Sequence, residues 1–390
     1  MKVWYMGLES IEARYTMQLE DWNIRAFKKA RTRLIPVRGL ELQATQGRIV
    51  NGSVLDAHGR TYYAVTQHAQ LIAHLQAGDI LSQDVIFYED MFTPGIESLP
   101  YIFNQTPAKY RPRVFVRCLA QTIDPDDFVN RTGMFDFMRK YEEMVGAFVD
   151  GILVASEEMV AHLRIAGFKC PIYVTGLPFG KQEVRARIPH GSHGFPSFVN
   201  RARVVSYAAR LDSEKQPHFL MQVIKELKHR DPGMSFKILS GGDLRSDDST
   251  VVPALRAMAR KGQVTLYENL TKNEYYRHLA WGRVLFNCAL QDWVSNTVSE
   301  ADTFGCMTVF PAYRSFPEVF ANNAQHMYIP WSVDDAVTKV LQGLDGPANT
   351  MIGKISDYQD KTIARTIEVF KGKREPSGND YRKDVAKAKY

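Results

Sequence analysis

The chain has 390 residues, of which 45% are hydrophobic, 24% charged and 11% aromatic. These are ordinary values for a globular protein, and they exclude an intrinsically disordered or low-complexity chain. The length exceeds what one hydrophobic core usually organises, so we expect two domains. The apolar stretch at the N-terminus is too short for a signal peptide or a membrane span, which predicts a cytoplasmic protein without stable membrane association.

The formal net charge is +6, and the basic excess is concentrated in residues 25–38, 109–117 and 371–390. Such segments suit a polyanionic acceptor, although a solvated basic surface explains them equally well. The four cysteines form no CxxC pair, so we expect neither a disulfide framework nor a metal site. The sequence does not indicate an oligomeric state.

Predicted strands and helices alternate along the N-terminal half. The first strand, KVWYM, precedes a helix from Glu12 to Lys29, where apolar side chains recur near the helical period. Further strands are predicted at YYAVTQ, DVIFYED, RVFVRCLAQTID and GILVAS, with helices at AQLIAHLQ, FDFMRKYEEMVGAF and SEEMVAHLRIAG. Ser156 is expected to cap the last helix, because Glu157 and Glu158 follow in its first turn. This order predicts an α/β fold with a mostly parallel, doubly wound sheet.

Residues 179–203 carry Gly, Pro and His without a period, and we interpret them as a linker. The alternation then restarts, with predicted strands at VVSYAAR, SFKILSGG, VTLYEN, RVLFNCAL and MTVFPA and a helix after each one. We therefore predict an N-terminal domain at 1–178, a C-terminal domain at 204–365 and a basic helix or tail at 366–390. Two such Rossmann-like halves face a cleft at the carboxyl ends of their strands, where ligands should bind.

The first segment that carries chemistry follows the first strand of the C-terminal domain. Arg210 ends this strand, and Lys215 follows five residues later, just before a helix. Two fixed cations beside free helix N–H groups outline a diphosphate site. A surface loop with ordinary charges is the alternative.

The second segment follows a later buried strand. Ser295, Asn296 and Thr297 open a helix there, and their polar side chains and N–H groups form a cradle for an anion. Asp292 and Glu300 flank them, and Glu300 can accept hydrogen bonds from sugar hydroxyls. Solvated helix carboxylates are the common alternative for such a pair.

The order of these segments resembles the nucleotide-sugar-binding half of retaining GT-B glycosyltransferases, over about residues 203–335. In that family an Arg and a Lys of an RL-x-x-EK segment hold the diphosphate, and a Glu-x7-Glu pair contacts the donor sugar and its ribose. Arg210, Lys215 and Glu300 match, and Asp292 stands in place of the first Glu. The resemblance therefore implies a GT-B fold, with two Rossmann-like domains facing a cleft and an acceptor site in the N-terminal domain.

The resemblance also implies how the donor is held. SGGD stands where the family has a Gly-rich turn, and VTLYENL stands where main-chain atoms read the base. The further donor-binding residues are then Gly7, Gly241, Gly242, Tyr267, Asn269, Leu270, Ser295, Asn296 and Thr297. The expected donor is a nucleoside-diphosphate sugar, a UDP-sugar first, and no metal or other cofactor is required because fixed cations stabilise the leaving diphosphate.

The acceptor side is less defined. The opening of the chain resembles phage DNA glucosyltransferases, and GCMTVFPAYRSFPEVF resembles a segment of queuosine-tRNA glycosyltransferases. The His that the family usually has after a middle strand is replaced here by Ala120, Gln121 and Asp124. We expect Asp124, Glu89 or Asp90 to act with Asp292 in catalysis, while turn or loop carboxylates are the alternative for all three N-terminal acids.

The favoured acceptor is a hydroxymethylated base in DNA, as in phage genome modification. A small molecule, a lipid, a protein or tRNA is the alternative acceptor, and a two-lobed nucleotide- or sugar-binding protein without catalysis is the alternative class. A dehydrogenase is disfavoured, because MGLESIEA follows the first strand in place of GxGxxG.

Overall fold

A computed structural model of the chain describes residues 1–9, 15–42, 57–119, 122, 124, 126–131, 133–188, 196–290, 292–320, 323–346 and 355–377. Up to residue 178 its strands are β1 Lys2–Met6, β2 Arg33–Val37, β3 Val85–Tyr88, β4 Arg113–Arg117, β5 Gly151–Val154 and β6 Ile172–Val174. The α-helices of this part are α1 Tyr15–Lys29, α2 Ala57–Gln76, α3 Leu99–Asn104, α4 Phe128–Arg131, α5 Phe135–Phe148 and α6 Glu157–Ile165.

From residue 179 onward the strands are β7 Val204–Tyr207, β8 Ser235–Leu239, β9 Thr265–Tyr267, β10 Val284–Phe286, β11 Met307–Pro311 and β12 Met327–Tyr328. The α-helices are α7 Lys181–Ala186, α8 Pro217–Arg230, α9 Val251–Arg260, α10 Lys272–Trp281, α11 Asn296–Thr303, α12 Phe316–Val319, α13 Val333–Asp345, α14 Asp357–Asp360 and α15 Thr362–Phe370. None of the helices in the described part of the chain combines the length and apolar character that a membrane crossing needs.

The chain separates into two compact units, and each contains one six-stranded sheet. The strand order is β2-β1-β3-β4-β5-β6 in the first unit and β12-β11-β10-β7-β8-β9 in the second. Every strand pair is parallel, since a helix connects successive strands in most cases. The predicted α/β class with two parallel, doubly wound sheets is confirmed.

Each sheet has a point where its strand order reverses. In the first sheet the reversal lies between β1 and β3, and in the second between β7 and β10. The connections from these two strands leave toward opposite edges of the sheet, so a crevice opens at their carboxyl ends. In the second unit, the two segments predicted to bind the donor follow β7 and β10. The topology therefore places both segments beside the same crevice.

The structure corrects one predicted strand. YYAVTQ lies inside the long helix α2, together with the predicted helix AQLIAHLQ. Aromatic and β-branched residues suggested a strand, but the buried side chains of this helix include Tyr63, Gln67 and Leu71, at four-residue intervals. That spacing places them on one helix face, so packing overrides the local strand propensity.

The predicted linker is also partly wrong, because α7 lies within residues 179–203. Val184 of this helix is 1% exposed, and the Lys181 N–H donates to Asp360 in α14 over 2.9 Å. The sequence analysis assigned residues 361–365 to the second domain, whereas the structure groups them with the first unit. The reason is α15, whose Phe370 ring lies 5.1 Å from the rings of Phe87 and of Phe115.

An ion pair lies in the core of the first unit. Arg117 at the end of β4 donates from Nε to Glu89 Oε1 over 2.6 Å, and the two side chains are 1% and 0% exposed. The guanidinium also donates to Thr175, Gly176 and Thr366. Arg117 thus ties the carboxyl ends of the central strands to α15, and nearly all its donors are satisfied.

Substituting Arg117→Met should lower the free energy of unfolding of the first unit by about 3 to 5 kcal/mol, because Glu89 is left buried without its counter-charge. Urea unfolding, reported by hydrogen exchange of the β3 and β4 amides, measures this loss. The double variant with Glu89→Gln should recover part of it. Arg33→Met, at an exposed arginine of the same sheet, is the control, and an equal effect of both single substitutions would contradict the role of the pair.

Candidate active site

The loop after β7 holds the first pair of predicted donor-binding residues. A short 3-10 turn covers Ser213–Lys215, and Gln216 then adopts a left-handed conformation with φ 53° before α8 begins at Pro217. The buried Tyr207 hydroxyl donates to the carbonyl oxygens of Arg210, over 3.0 Å, and of Lys215, over 3.3 Å. One tyrosine therefore fixes the backbone at both predicted cations.

The Arg210 guanidinium lies at the rim of this loop. It donates to Asp212 over 2.8 Å and to Glu214 over 2.7 Å, and 43% of its side chain is exposed. Because a guanidinium has five N–H donors in a planar fork, these two bonds orient it and leave donors for a further anion. The geometry suits a phosphate contact from the solvent side.

Lys215 lies deeper and joins the two predicted segments. Its ammonium is 3.0 Å from Asp292 Oδ1, and the two side chains are 7% and 23% exposed. Lys215 follows β7 and Asp292 follows β10, so this ion pair spans the point where the strand order reverses. A backbone bond of 2.8 Å from Leu290 N to the Glu214 carbonyl holds the two loops together. The structure thus brings the two sequence segments into one site.

Glu300 lies on α11, and its carboxylate is already bound on several sides. It accepts from the Lys272 ammonium over 2.9 Å, from the Tyr275 hydroxyl over 2.8 Å and from the Tyr276 hydroxyl over 3.0 Å. A carboxylate has about four acceptor positions, so about one remains for a sugar hydroxyl. The sequence analysis missed these three partners on α10, since no motif links one helix to a carboxylate on the next.

The start of α11 has the polar groups that were predicted, in a different arrangement. The Ser295 hydroxyl accepts from the Asn287 amide over 3.0 Å and lies 3.1 Å from the Thr297 hydroxyl, so it makes no capping bond to the helix. Asn296 and Thr297 are partly exposed. Ser315 donates to the carbonyl oxygens of Asp292 and Trp293, which holds the loop from behind. The sequence analysis missed Asn287 and Ser315.

The glycine turn after β8 and the loop after β9 bind each other. Ser240 N donates to Tyr267 O over 2.9 Å, Asn269 N to Gly242 O over 3.2 Å, and Leu270 N to Ser240 O over 3.0 Å. A Cβ at Gly241 would lie 3.6 Å from Leu270 O, which is an ordinary contact. The Tyr267 carbonyl and the N–H groups of Asn269 and Leu270 are thus bonded within the unit, and the reading of the base by main-chain atoms stays a prediction.

In the first unit, Glu89 does not lie where the sequence predicted it. It is 0% exposed and paired with Arg117, and burial raises the pKa of its carboxyl above the ordinary value while Arg117 lowers it. A carboxylate that solvent cannot reach cannot act on a substrate hydroxyl, so Glu89 is corrected from a catalytic candidate to a core residue. Gly7 follows β1, on the other side of the strand reversal from β3. It is buried, and its carbonyl accepts from the Gln67 amide over 3.0 Å.

Asp90 and Asp124 lie after β3 and β4. Asp90 pairs with Arg60 of α2 and accepts from Phe92 N over 3.0 Å, and its side chain is 10% exposed. Asp124 is 0% exposed and accepts from Asp126 N over 3.0 Å, the arrangement of a turn former. All three N-terminal acids are buried, and Asp90, with 10% of its side chain exposed, is the most accessible of them. Ala120 and Gln121 lie outside the described residues.

The comparisons with known proteins identify the fold. No protein-family model matches the sequence, and none of the curated proteins matches it. The chain is similar to sucrose-phosphate synthase from Thermosynechococcus elongatus, with a TM-score of 0.62, 11% identity and 100% of each chain covered. A trehalose-6-phosphate synthase structure matches with a TM-score of 0.62 and 10% identity over 95% of this chain and 99% of the other.

A glycosyltransferase from Rickettsia africae ESF-5 matches with a TM-score of 0.59 and 12% identity, over 95% of this chain and 98% of the other. Identities this low show the fold alone. The solved structures that the chain resembles are GT-B glycosyltransferases, and its two six-stranded parallel sheets match them. The GT-B fold predicted from the sequence is therefore confirmed.

Glu142 on α5 holds the loop after β4. Its carboxylate accepts from Thr122 N over 2.9 Å and from the Thr122 hydroxyl over 2.6 Å. Burial raises the pKa of this carboxyl to about 7, and the bonds from Thr122 oppose that shift. The loop that carries Asp124 is thus attached to a carboxyl group that changes its charge near neutral pH.

The pH dependence of stability should change in the Glu142→Gln variant. The pKa of Glu142 is higher in the folded state than in the unfolded state. The protonated carboxyl therefore stabilises the folded state below about pH 4.5, and this stabilisation is lost as the pH rises through about 7. The full shift corresponds to on the order of 3 kcal/mol. Gln keeps an acceptor for Thr122 N, so the variant should gain stability relative to the parent between pH 5 and 8.

Urea unfolding at pH 5, 6, 7 and 8 measures this difference. Asp136→Asn is the matched control, because Asp136 is an exposed acid of α5 that does not contribute to the raised pKa of Glu142. Parallel pH profiles for the parent and the Glu142→Gln variant would contradict the assigned effect of burial.

Proposed function

We propose that the protein is a glycosyltransferase that transfers a sugar from a nucleoside-diphosphate sugar to a hydroxyl acceptor. The observation that carries this proposal is the Lys215–Asp292 pair at the strand reversal of the second sheet, with Arg210 beside it. Open parallel sheets bind ligands at this point, and two cations there match the charge of a diphosphate. The GT-B fold supports the same assignment by analogy.

In the proposed reaction the bond from the anomeric carbon to the phosphate oxygen breaks, and a bond to the acceptor oxygen forms. Negative charge grows on the leaving diphosphate, and Arg210, Lys215 and the N–H groups at the start of α8 stabilise it. Asp292 then contacts the transferred sugar and Glu300 the ribose. Fixed cations perform the role that a metal has in other transferases, so we propose metal-independent transfer, with retention of configuration by analogy with the family.

The proposed donor is a UDP-sugar, and the favoured acceptor is a hydroxymethylated base in DNA. The basic segments support a DNA acceptor, but the structure shows that some of their residues are buried or already paired. Arg117 of segment 109–117 lies in the core, and Arg38 of segment 25–38 donates to Glu20 over 2.9 Å. Residues 378–390 of the basic tail lie outside the described residues. Contacts to phosphates do not depend on the base sequence, so other residues must recognise the modified base.

Asp90 is the N-terminal acid that we propose to meet the acceptor hydroxyl. Its carboxylate follows β3 with 10% of the side chain exposed, and Arg60 must release one oxygen before Asp90 can take a proton. Asp124 is 0% exposed, like Glu89, so the same argument makes it a buried turn residue. If the acceptor is instead a small molecule, a lipid, a protein or tRNA, the donor site and the reaction stay the same. A binding protein without catalysis would bind the nucleotide sugar and release no nucleoside diphosphate.

A panel of nucleotide sugars, incubated with and without hydroxymethylated DNA, tests the proposal. We expect one donor, a UDP-sugar first, to release its nucleoside diphosphate in a DNA-dependent reaction and to yield a heavier nucleoside by mass spectrometry. Arg210→Ala and Lys215→Ala should each lower kcat/KM, because each variant loses about 2 to 4 kcal/mol of transition-state stabilisation. Added EDTA should leave the rate unchanged.

Lys225→Ala is the matched control, because Lys225 is an exposed lysine on α8 of the same unit. Release without DNA would keep the enzyme class and exclude the DNA acceptor. Full activity of both site variants would exclude the assigned site, and the absence of release with every donor would exclude a transferase and favour a binding protein.

A further inference from the structure

A pocket with a mainly apolar lining and two basic side chains lies in the same unit, on the face of the sheet that α10 covers. Its volume is about 250 Å³, and its lining residues are Ala202, Val204, Lys237, Arg277, His278, Trp281 and Gly282. None of them belongs to the loops after β7 and β10 that form the proposed donor site. The pocket opens beside the start of β7, whereas the donor site lies at the end of that strand.

Two cations of this pocket, Lys237 and Arg277, lack a close ion pair within the described part of the chain. By contrast, Arg203 nearby in sequence is paired with Asp231 and Asp345. The Lys237 ammonium lies 3.5 Å from His278 Nδ1 and 5.4 Å from the centre of the Tyr267 ring. A half-buried ammonium held by neutral groups alone leaves a net positive charge facing the opening.

Glu274 is the acid on α10, and hydrogen bonds from Thr271 lower the pKa of its carboxyl. The charge of Arg277 adds to this effect, so Glu274 offsets part of the charge of Arg277 and leaves that of Lys237. Glu274 lies one turn before His278, and its carboxylate accepts from Thr271 N over 2.9 Å and from the Thr271 hydroxyl over 2.7 Å, which completes the helix cap. At the other end of the helix, the Gly282 carbonyl accepts from Arg201 over 3.3 Å. The pocket therefore attracts an anion.

An aromatic surface lies beside these cations. Trp281 is the last residue of α10 and is 49% exposed, and the His278 and Tyr267 rings pack 4.3 Å apart at the other side. The small residues Ala202 and Gly282 leave the space between open. Unpaired cations next to an exposed indole form the combination that binds the phosphate and the base of an unpaired nucleotide.

We propose that this pocket binds one nucleotide unit of single-stranded nucleic acid, with a base on Trp281 and a backbone phosphate between Lys237 and Arg277. The volume of about 250 Å³ lies near the lower end of the range of small-ligand pockets, about 300 to 1,000 Å³, so the pocket has room for one nucleotide unit. Duplex is disfavoured, because its paired bases are not free to stack on the indole. This binding does not depend on the proposed transferase activity.

The test is fluorescence anisotropy of a labelled 12-nucleotide oligodeoxythymidylate with the full chain, at several salt concentrations. Trp281→Ala should weaken binding about 5- to 100-fold through lost stacking. Lys237→Met and Arg277→Gln should each weaken it and lower the slope of log K against log salt by about 0.7 per lost phosphate contact. Both Trp281 and Arg277 are exposed, so these variants should stay folded.

Trp331→Ala and Lys225→Gln are the controls, at an exposed tryptophan and an exposed lysine of the same unit, and should bind like the parent. Arg210→Ala should also bind like the parent, which separates this pocket from the donor site. Parental binding by the Trp281→Ala variant would overturn the proposal. If inorganic polyphosphate competes as well as the oligonucleotide, the proposed stacking of a base on Trp281 is wrong. If thymidine 5′-monophosphate binds as tightly as the oligonucleotide, the proposed preference for a strand is wrong.

Discussion

The ion pair between Lys215 and Asp292 is the interaction on which the proposed chemistry depends. It joins the loops after β7 and β10 over 3.0 Å, at the point where the strand order of the second sheet reverses. A lysine that is 7% exposed would be costly to bury without a counter-charge, and Asp292 supplies it in the absence of a ligand. A bound diphosphate brings its own negative charge, which frees Asp292 to contact a sugar.

The surrounding residues make this site rigid before any ligand binds. Tyr207 fixes the backbone of the β7 loop, Ser315 fixes that of the β10 loop, and the Leu290–Glu214 backbone bond connects them. Glu300 is held in the same way by Lys272 and two tyrosines. Preorganised groups lose little entropy and need little rearrangement when charge develops, which is the property that electrostatic catalysis requires.

The first unit uses a buried ion pair differently. Glu89 and Arg117 form a carboxylate–cation pair, as Asp292 and Lys215 do, but neither side chain of the core pair is more than 1% exposed. Solvent access, which the sequence does not show, thus separates a core pair from a candidate site. Both pairs follow strands, and this is why the sequence analysis treated Glu89 as a catalytic candidate.

Other features were predictable from the sequence because they depend on local pattern. The strand–helix alternation and the cap at Ser156 follow from period and composition. The segments that carry Arg210 and Asp292 could be singled out because each comes after a buried strand, and their roles stay predictions from the resemblance. The strand assigned to YYAVTQ was wrong, since its burial is decided by packing of the whole of α2. Lys272 was missed, because its partner Glu300 is 28 residues away and only the fold brings the two together.

Hydrogen exchange of the full chain with saturating nucleoside diphosphate tests the site most directly, using UDP first and then ADP and GDP. The account predicts that one of them slows exchange in the peptides that cover residues 207–216 and 287–300, and that Lys215→Ala abolishes this protection. Absence of protection with all three, or protection confined to other parts of the chain, would contradict it.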